Sequence, residues 1–159
     1  MIFLQIKWKT LIYSLALPLA VGGLAGFLTK DSMSAFGQLN QPPLSPPGWL
    51  FPVVWTILYL LMGLAFYMVT VSDENDEQVN NAKKIYYLQL AVNFFWSIIF
   101  FNMEQYLFAF LWLILLWILI IVTLIRFYRI QPLAGYLMIP YLLWVTFAGY
   151  LNFGVFLLN

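Results

Sequence analysis

Long apolar stretches alternate with short polar ones along the whole chain. A helix needs about 20 apolar residues to cross the roughly 30 Å hydrocarbon layer of a membrane, and such stretches recur five times. The pattern therefore predicts an all-α bundle of five transmembrane helices that forms a single domain over residues 1–159. The predicted helices cover approximately residues 10–28, 48–71, 85–101, 106–125 and 133–158.

The segments between the apolar stretches differ in chemistry. A long, Pro-rich and polar loop over residues 29–47 separates the first two helices, and a charged segment over residues 72–84 precedes the third. Residues 102–105 predict a tight turn, and residues 126–132 predict a short basic loop. Lysines precede the first apolar stretch, as in a signal peptide. The stretch is longer than a typical signal, and we interpret it as a helix that stays in the bundle.

The composition is typical of a membrane protein. Of the 159 residues, 64% are hydrophobic and only 8% are charged, and the mean hydropathy is +0.90. A soluble core of this size cannot bury so much apolar surface. Seven basic residues against six acidic ones provide no basic face for nucleic acid. The chain lacks cysteine and histidine, which removes thiolate nucleophiles, the usual metal ligands and the commonest acid–base catalyst.

Basic residues orient the predicted bundle. With five helices, six of the seven basic residues fall on one side of the membrane, and basic residues accumulate on the cytoplasmic side. We therefore expect a cytoplasmic N-terminus in a bacterial cell membrane, with the loop 29–47 and the C-terminus on the outer side. The six residues are Lys7, Lys9, Lys83, Lys84, Arg126 and Arg129, whereas Lys30 falls on the other side.

The predicted helices contain no Asp, Glu, Lys or Arg, which argues against a pump or an ion-coupled transporter. Two helices instead present faces of amide and aromatic side chains, which is typical of a mostly apolar small-molecule pocket. The amides have a second interpretation, in which they only hydrogen-bond from helix to helix. The two faces comprise Gln89, Asn93, Trp96 and Phe100 on the third helix, and Pro140, Trp144, Ala148 and either Leu151 or Asn152 on the fifth.

Three blocks stand out by their Pro, Trp and amide residues. They are Pro46-Pro47-Gly48-Trp49 with Trp55, Leu58-Tyr59 and Met62-Gly63; Gln89-Leu90-Ala91-Val92-Asn93-Phe94-Phe95-Trp96-Ser97 with Phe100-Phe101; and Pro140-Tyr141-Leu142-Leu143-Trp144 with Phe147-Ala148 and Leu151-Asn152. They resemble the signature blocks of the translocator protein family, which includes peripheral benzodiazepine receptors and bacterial tryptophan-rich sensory proteins. The resemblance extends in order over nearly the whole chain.

The resemblance implies a bundle that binds tetrapyrroles such as protoporphyrin IX, as well as isoquinoline carboxamide and benzodiazepine ligands, and that requires no cofactor. It implies that the first loop is a lid over the pocket. Some bacterial members are associated with light-dependent breakdown of protoporphyrin, for which Trp55 and Trp144 are the candidate reactive residues. The implied ligand-binding residues are Phe51, Trp55, Asn93, Trp96, Trp144, Ala148 and Leu151.

Two ligands of the wider family are not expected here. The vertebrate cholesterol-recognition segment needs an aromatic residue followed by a basic one after the last block, and residues 153–159 contain no Lys or Arg. Haem iron is disfavoured because its two strongest protein ligands, His and Cys, are missing.

Association and transport are further expectations. Gly22, Ala25 and Gly26 form a strip of small residues on the first helix, which can pack closely against another helix of this chain or against a second chain. We predict a homodimer. A passive carrier of tetrapyrroles and a scaffold with an unused pocket are alternatives to a binding protein. A carrier needs openings on both faces or a helix broken at the midplane, and the one candidate, Pro140, lies near a helix end. We interpret Trp112 and Trp117 as packing or lipid-facing residues.

Overall fold

The computed structural model describes residues 5–159 and confirms the all-α class. The chain is 81% helical, and the described part contains no strand. The predicted domain 1–159 also includes residues 1–4, which lie outside the described residues. The helices are α1 (Trp8–Thr29), α2 (Met33–Phe36), α3 (Leu50–Thr70), α4 (Asp76–Ser97) with a π-helical continuation (Ile98–Asn102), α5 (Tyr106–Ile130), α6 (Pro132–Leu137) and α7 (Ile139–Leu158).

Five helical segments of the described chain are long and apolar enough to cross a membrane, as the hydrophobic pattern predicts. The chain is therefore an integral membrane protein built as a polytopic bundle. α4 and its π-helical continuation form one span, and α6 and α7 form another. The five spans are Trp8–Thr29, Leu50–Thr70, Asp76–Asn102, Tyr106–Ile130 and Pro132–Leu158.

The third span begins earlier than the sequence predicts. We expected a charged loop up to residue 84, but α4 already begins at Asp76. The Asn75 side chain caps this helix by accepting hydrogen bonds from the backbone N–H groups of Glu77 and Gln78. Asp76 and Glu77 add negative charge to the first turn, where the helix dipole favours it. α4 therefore begins within the charged segment, and hydropathy alone does not detect this part of the helix.

The other boundaries also differ from the prediction. α1 begins at Trp8, α3 begins at Leu50 and α5 continues to Ile130, past the predicted end at residue 125. The fifth span is divided at Met138, which separates α6 from α7. Pro140 lies in the first turn of α7, where a missing N–H costs no helical hydrogen bond. The division therefore lies near one end of the span, and not at its middle.

α1 and α3 pack closely because glycines remove side chains from their contact. A Cβ atom at Gly63 would lie 2.5 Å from the Ser14 carbonyl oxygen and 3.1 Å from Leu15 Cα. At Gly22 a Cβ would collide with the Tyr59 ring. Small residues at a membrane helix contact allow such close approach. Elsewhere α5 packs against α4, α6 and α7 and so connects the two halves of the bundle.

The small residues of the α1 strip do not all face the same surroundings: two pack within the bundle and one does not. Gly22 faces Tyr59, and Ala25 is buried within the bundle. By contrast, nothing lies within 4 Å of a Cβ placed at Gly26. Two of the three residues thus pack against the chain itself, and the homodimer stays a prediction.

The first loop folds over one end of the bundle and contacts α7. The Pro42 ring occupies the space that a Cβ at Gly154 would need, and the Tyr150 hydroxyl donates a hydrogen bond to the Pro43 carbonyl at 2.6 Å. Asn40 exchanges hydrogen bonds with Asn159, which donates from Nδ2 to the Asn40 carbonyl at 2.8 Å and accepts from the Asn40 N–H at 3.2 Å. The loop is therefore fastened to the C-terminal half of α7.

The close contact at Gly63 leads to a stability prediction. Gly63→Ala should destabilise the folded bundle by about 1–3 kcal/mol, because the added methyl group meets backbone atoms of α1 that cannot rotate away. Thermal unfolding in detergent measures the loss. Gly23→Ala is the matched control: its Cβ meets nothing within 4 Å, and its melting temperature should be unchanged or slightly higher. Equal melting temperatures for the two variants would contradict the close approach of α1 and α3.

Candidate functional site

A buried hydrogen-bond network joins α3, α4 and α7 at the predicted site. The Tyr59 hydroxyl donates to Asn93 Oδ1 at 3.0 Å, and Asn93 Nδ2 donates to the Tyr141 hydroxyl at 2.8 Å. Tyr141 in turn donates to Gln89 Oε1 at 2.7 Å. All four side chains are buried. The interpretation that Gln89 and Asn93 hydrogen-bond across helices is confirmed, and both Asn93 polar atoms are in use.

Aromatic rings lie next to this network and connect α3 with α7. Trp55 stacks on Tyr59 with ring centroids 5.6 Å apart, and it meets Tyr141 edge-on at 6.3 Å. Phe51, one turn before Trp55, meets Trp144 edge-on at 5.9 Å. Two aromatic pairs therefore form the contact between α3 and α7, and the predicted residues Phe51, Trp55 and Trp144 belong to one cluster.

Trp144 has an indole N–H without a protein partner. Its Nε1 atom is buried, and no hydrogen-bond acceptor reaches it within residues 5–159. The Trp144 ring packs against Phe51 and, at 5.6 Å, against Phe147. A buried donor without an acceptor costs about 1–3 kcal/mol. Trp144 can therefore gain an interaction from a ligand that presents an acceptor.

Trp96 belongs to a second hydrogen-bonded group, closer to the end covered by the first loop. Its Nε1 donates to Asn152 Oδ1 at 3.0 Å, and Asn152 Nδ2 donates to the Tyr106 carbonyl at 2.9 Å. The Trp96 ring stacks on Phe100 at 5.2 Å, and Phe36 of the first loop meets Phe100 edge-on at 5.5 Å. Trp96 thus links α4 to α7 and, through Phe100, to the loop.

The remaining predicted residues occupy α7. Ala148 is buried in the main hydrophobic core, one turn after Trp144, and Leu151 is partly buried in the following turn. For the open choice between Leu151 and Asn152, the hydrogen bonds to Trp96 and Tyr106 place Asn152 inside the bundle. The structure therefore brings Phe51, Trp55, Asn93 and Trp144 into one neighbourhood. Trp96 belongs to the second hydrogen-bonded group.

Tyr59 and Tyr141 belong to the buried network at the candidate site, and the sequence reasoning missed both. Both stand in the signature blocks, but neither was assigned to the site. Their positions carry a signal, because Tyr59 follows Trp55 by four residues and Tyr141 precedes Trp144 by three, which puts each pair on one helix face. A buried amide also needs partners, and a tyrosine hydroxyl on a facing helix supplies one.

Two apolar grooves lie on the outer surface of the bundle. The first, of about 440 Å³, lies between α3 and α7, and Trp144 forms part of its wall. The second, of about 310 Å³, lies between α5 and α7 and includes Trp117, which donates from Nε1 to Thr146 Oγ1 at 2.9 Å. Trp112 packs inward and donates to the Val92 carbonyl at 2.8 Å. Neither tryptophan lies in the candidate site.

The described residues of the site include no Asp, Glu, Lys, Arg, His or Cys. Its polar groups are phenols, amides and indoles, and the described residues hold no group of three His, Cys, Asp or Glu that could bind a metal. Such a site suits a flat, largely apolar molecule that makes few hydrogen bonds.

Comparison with known proteins agrees with this description. Residues 14–158 match the model of the TspO/MBR family. The tryptophan-rich protein TspO of Chlorobaculum tepidum is 41% identical over 152 residues, which cover 94% of this chain and 96% of that protein. The tryptophan-rich sensory protein of Cereibacter sphaeroides is 33% identical over 98% of this chain and 95% of its own length. The translocator protein of Bos taurus is 31% identical over 84% and 81%.

The fold and the site thus define a membrane protein of five spans whose interior, over residues 5–159, is aromatic and contains no buried charged side chain. The chain belongs to the TspO/MBR family. The names of its relatives support a role as a membrane sensor or translocator.

The buried network allows a direct test of its contribution. Tyr141→Phe should lower the stability of the bundle by about 1–3 kcal/mol, because it leaves Asn93 Nδ2 and Gln89 Oε1 without partners. Thermal or denaturant unfolding measures the change. Tyr106→Phe is the control, since the Tyr106 hydroxyl makes no hydrogen bond in the part of the chain that the structure describes. If both variants unfold alike, the network does not stabilise the fold.

Proposed function

We propose that this protein binds porphyrins such as protoporphyrin IX in the aromatic cluster between α3, α4 and α7, and that isoquinoline carboxamide and benzodiazepine-type molecules compete for the same place. The observation that carries the proposal is the pair of aromatic contacts, Phe51 with Trp144 and Trp55 with Tyr141, in a chain of the TspO/MBR family. Stacking and edge-on contacts with such rings favour a flat aromatic ligand.

The proposed ligand matches the hydrogen-bonding capacity of the cluster. The Trp144 indole N–H can donate to a carbonyl or carboxylate oxygen, and Gln89 Nε2 is a second buried donor without an acceptor within residues 5–159. Both polar atoms of the Asn93 amide are already paired. A porphyrin carries carboxylates at its edge and an apolar face elsewhere. The proposal needs no iron, because a metal-free porphyrin requires no axial ligand.

The aromatic rings of α3 and α7 touch each other, so a ligand of this size has to separate them. Separating two aromatic rings costs less free energy than breaking a buried hydrogen bond, because no polar group loses its partner when the rings separate. The network at Asn93 lies behind the rings and stays intact in this proposal. Ligand binding thus moves α3 and α7 apart on the side of Phe51 and Trp144.

The aromatic site leads to a binding prediction. Trp144→Ala should weaken protoporphyrin IX binding by about 1–3 kcal/mol, because it removes both a ring contact and the unpaired N–H. Fluorescence titration of the purified protein measures the affinity. Trp117→Ala is the matched control, since its ring lies in the groove between α5 and α7, and its affinity should be nearly unchanged. Equal losses in the two variants would point to general destabilisation and would refute this site.

Asn93 needs a separate treatment, because it stabilises the fold. Asn93→Ala removes two buried hydrogen bonds, and lower affinity in this variant then mixes lost folding with lost binding. The affinity is therefore compared at a temperature well below the melting point of the variant. In this proposal the loss is smaller than that for Trp144→Ala.

Light-dependent breakdown of porphyrin stays a prediction for this protein. Trp55 and Trp144 are the indoles in contact with the proposed ligand space, and both are candidates to react when an illuminated porphyrin and oxygen are present. Trp55 also stacks on Tyr59, whose hydroxyl donates to Asn93.

A passive carrier is the second candidate, and the name translocator protein among the relatives favours it. The fifth span is divided at Met138, but the division lies near one end of the span. The first loop also fastens over the opposite end of the bundle. Both features support binding in preference to free passage across the membrane.

The orientation of the bundle in a bacterial cell membrane is part of the proposal. Since six of seven basic residues mark one side as cytoplasmic, a cysteine at Ser34 should react with an impermeant thiol reagent added to intact cells, and one at Gln131 should not. The chain has no cysteine of its own, and both side chains are exposed. Labelling of the Gln131→Cys variant alone would show that the bundle has the opposite orientation in the membrane.

A further inference from the structure

The groove between α3 and α7 faces the surrounding bilayer and contains no charged residue. Its α3 wall consists of residues near the middle of the second span, and its α7 wall of residues just beyond Pro140. Ile57 and Leu143, on opposite walls, are 51% and 64% exposed, so they meet lipid and not the core. The complete lining is Val54, Ile57, Leu58, Leu61, Pro140, Leu143, Trp144 and Phe147.

The groove is continuous with the candidate site through Trp144. This residue forms part of the groove wall, and its ring also contacts Phe51 inside the aromatic cluster. Its buried N–H lacks a protein acceptor within residues 5–159. A molecule that moves inward along the groove therefore meets Trp144 before it meets Trp55 or the Asn93 network.

The other approach to the site is closed by the first loop. Pro42 packs on Gly154, Tyr150 hydrogen-bonds the Pro43 carbonyl, and Asn40 pairs with Asn159. Phe36 adds edge-on contacts with Phe100 and Phe101, at 5.5 and 5.3 Å. A ligand that arrives from water must break hydrogen bonds and ring contacts at several points, whereas a ligand dissolved in lipid meets only apolar side chains.

We propose that flat hydrophobic ligands reach the site sideways from the bilayer, through the groove between α3 and α7, with Trp144 at its inner end. This inference rests on the proposed function, because it assumes a ligand in the aromatic cluster. It assigns the groove as the passage and the first loop as a fixed cover. Porphyrins and similar molecules partition into membranes, so their local concentration is highest where the groove opens.

A bulky side chain that blocks the groove, called a plug below, tests whether ligands enter through it. Leu143→Trp and Ile57→Trp each add bulk to an exposed groove wall without altering a predicted ligand contact. Both the association and the dissociation rates of protoporphyrin IX, delivered from liposomes and followed by stopped-flow fluorescence, should fall about tenfold with the dissociation constant nearly unchanged. Leu143→Ala widens the groove and should raise both rates. It serves as the second variant if a plug disturbs folding.

Two controls show whether the change in rates belongs to this groove alone. Ile114→Trp places the same bulk in the groove between α5 and α7, and its rates should match those of the unaltered protein. Tyr150→Phe with Asn159→Ala loosens the first loop and should also leave the rates unchanged. Faster binding in the loosened variant, together with unaltered rates in the plugged ones, would overturn the proposal and leave the groove as a surface covered by lipid.

The same measurements distinguish this proposal from the proposed function. If the unaltered protein binds no porphyrin at equilibrium, the proposed function fails and the passage fails with it. If the unaltered protein binds porphyrin but neither plug nor widening changes the rates, the site stands and the passage alone is refuted.

Discussion

The hydrogen bonds that Asn93 makes with Tyr59 and Tyr141 hold the centre of this bundle together. Inside a bilayer the hydrophobic effect does not drive helices together, and a buried amide finds no water to replace a missing partner. Three helices are therefore fixed by matched polar groups, each on a different helix. Asn93 uses both ends of its amide, so α3 and α7 are each held to α4 by a specific geometry.

The interior therefore has two parts: a hydrogen-bond network that is costly to break and aromatic rings whose contacts can separate. The network around Asn93 is specific and costly to break, since each lost bond leaves a polar atom unsatisfied. The rings of Phe51, Trp55 and Trp144 make apolar contacts that can separate and form again around a guest. The polar atoms that stabilise the fold are therefore different from the ring atoms that would contact the proposed ligand.

The sequence predicted the class and the number of spans well, because both depend on hydrophobicity summed over long windows. It failed at the start of α4, where an Asn75 cap decides the boundary and no window average detects it. Asn93 and Trp144 were predicted as site residues from helical spacing, and Trp55 from the resemblance. Tyr59 and Tyr141 were not predicted, since the sequence of a membrane helix does not show which residue on the facing helix a tyrosine will contact.

The partners of Gly22 and Ala25 likewise depend on how α1 and α3 cross, which the order of residues along one helix does not determine.

The interruption of the fifth span at Met138 has a mechanical consequence. α6 is held against α5, because Gly135 leaves no room for a side chain beside Tyr128, where a Cβ would lie 2.6 Å from the Tyr128 Cβ. Beyond Met138, Pro140 supplies no N–H to tie the start of α7 to the preceding turn. α6 is therefore held in place, and the join at Met138 is the point of the fifth span at which a tilt of α7 costs least. A tilt of α7 at Met138 would displace Gly154 more than Trp144, because Gly154 lies further along the helix. The first loop is fastened to this distal end of α7 and therefore opposes such a tilt.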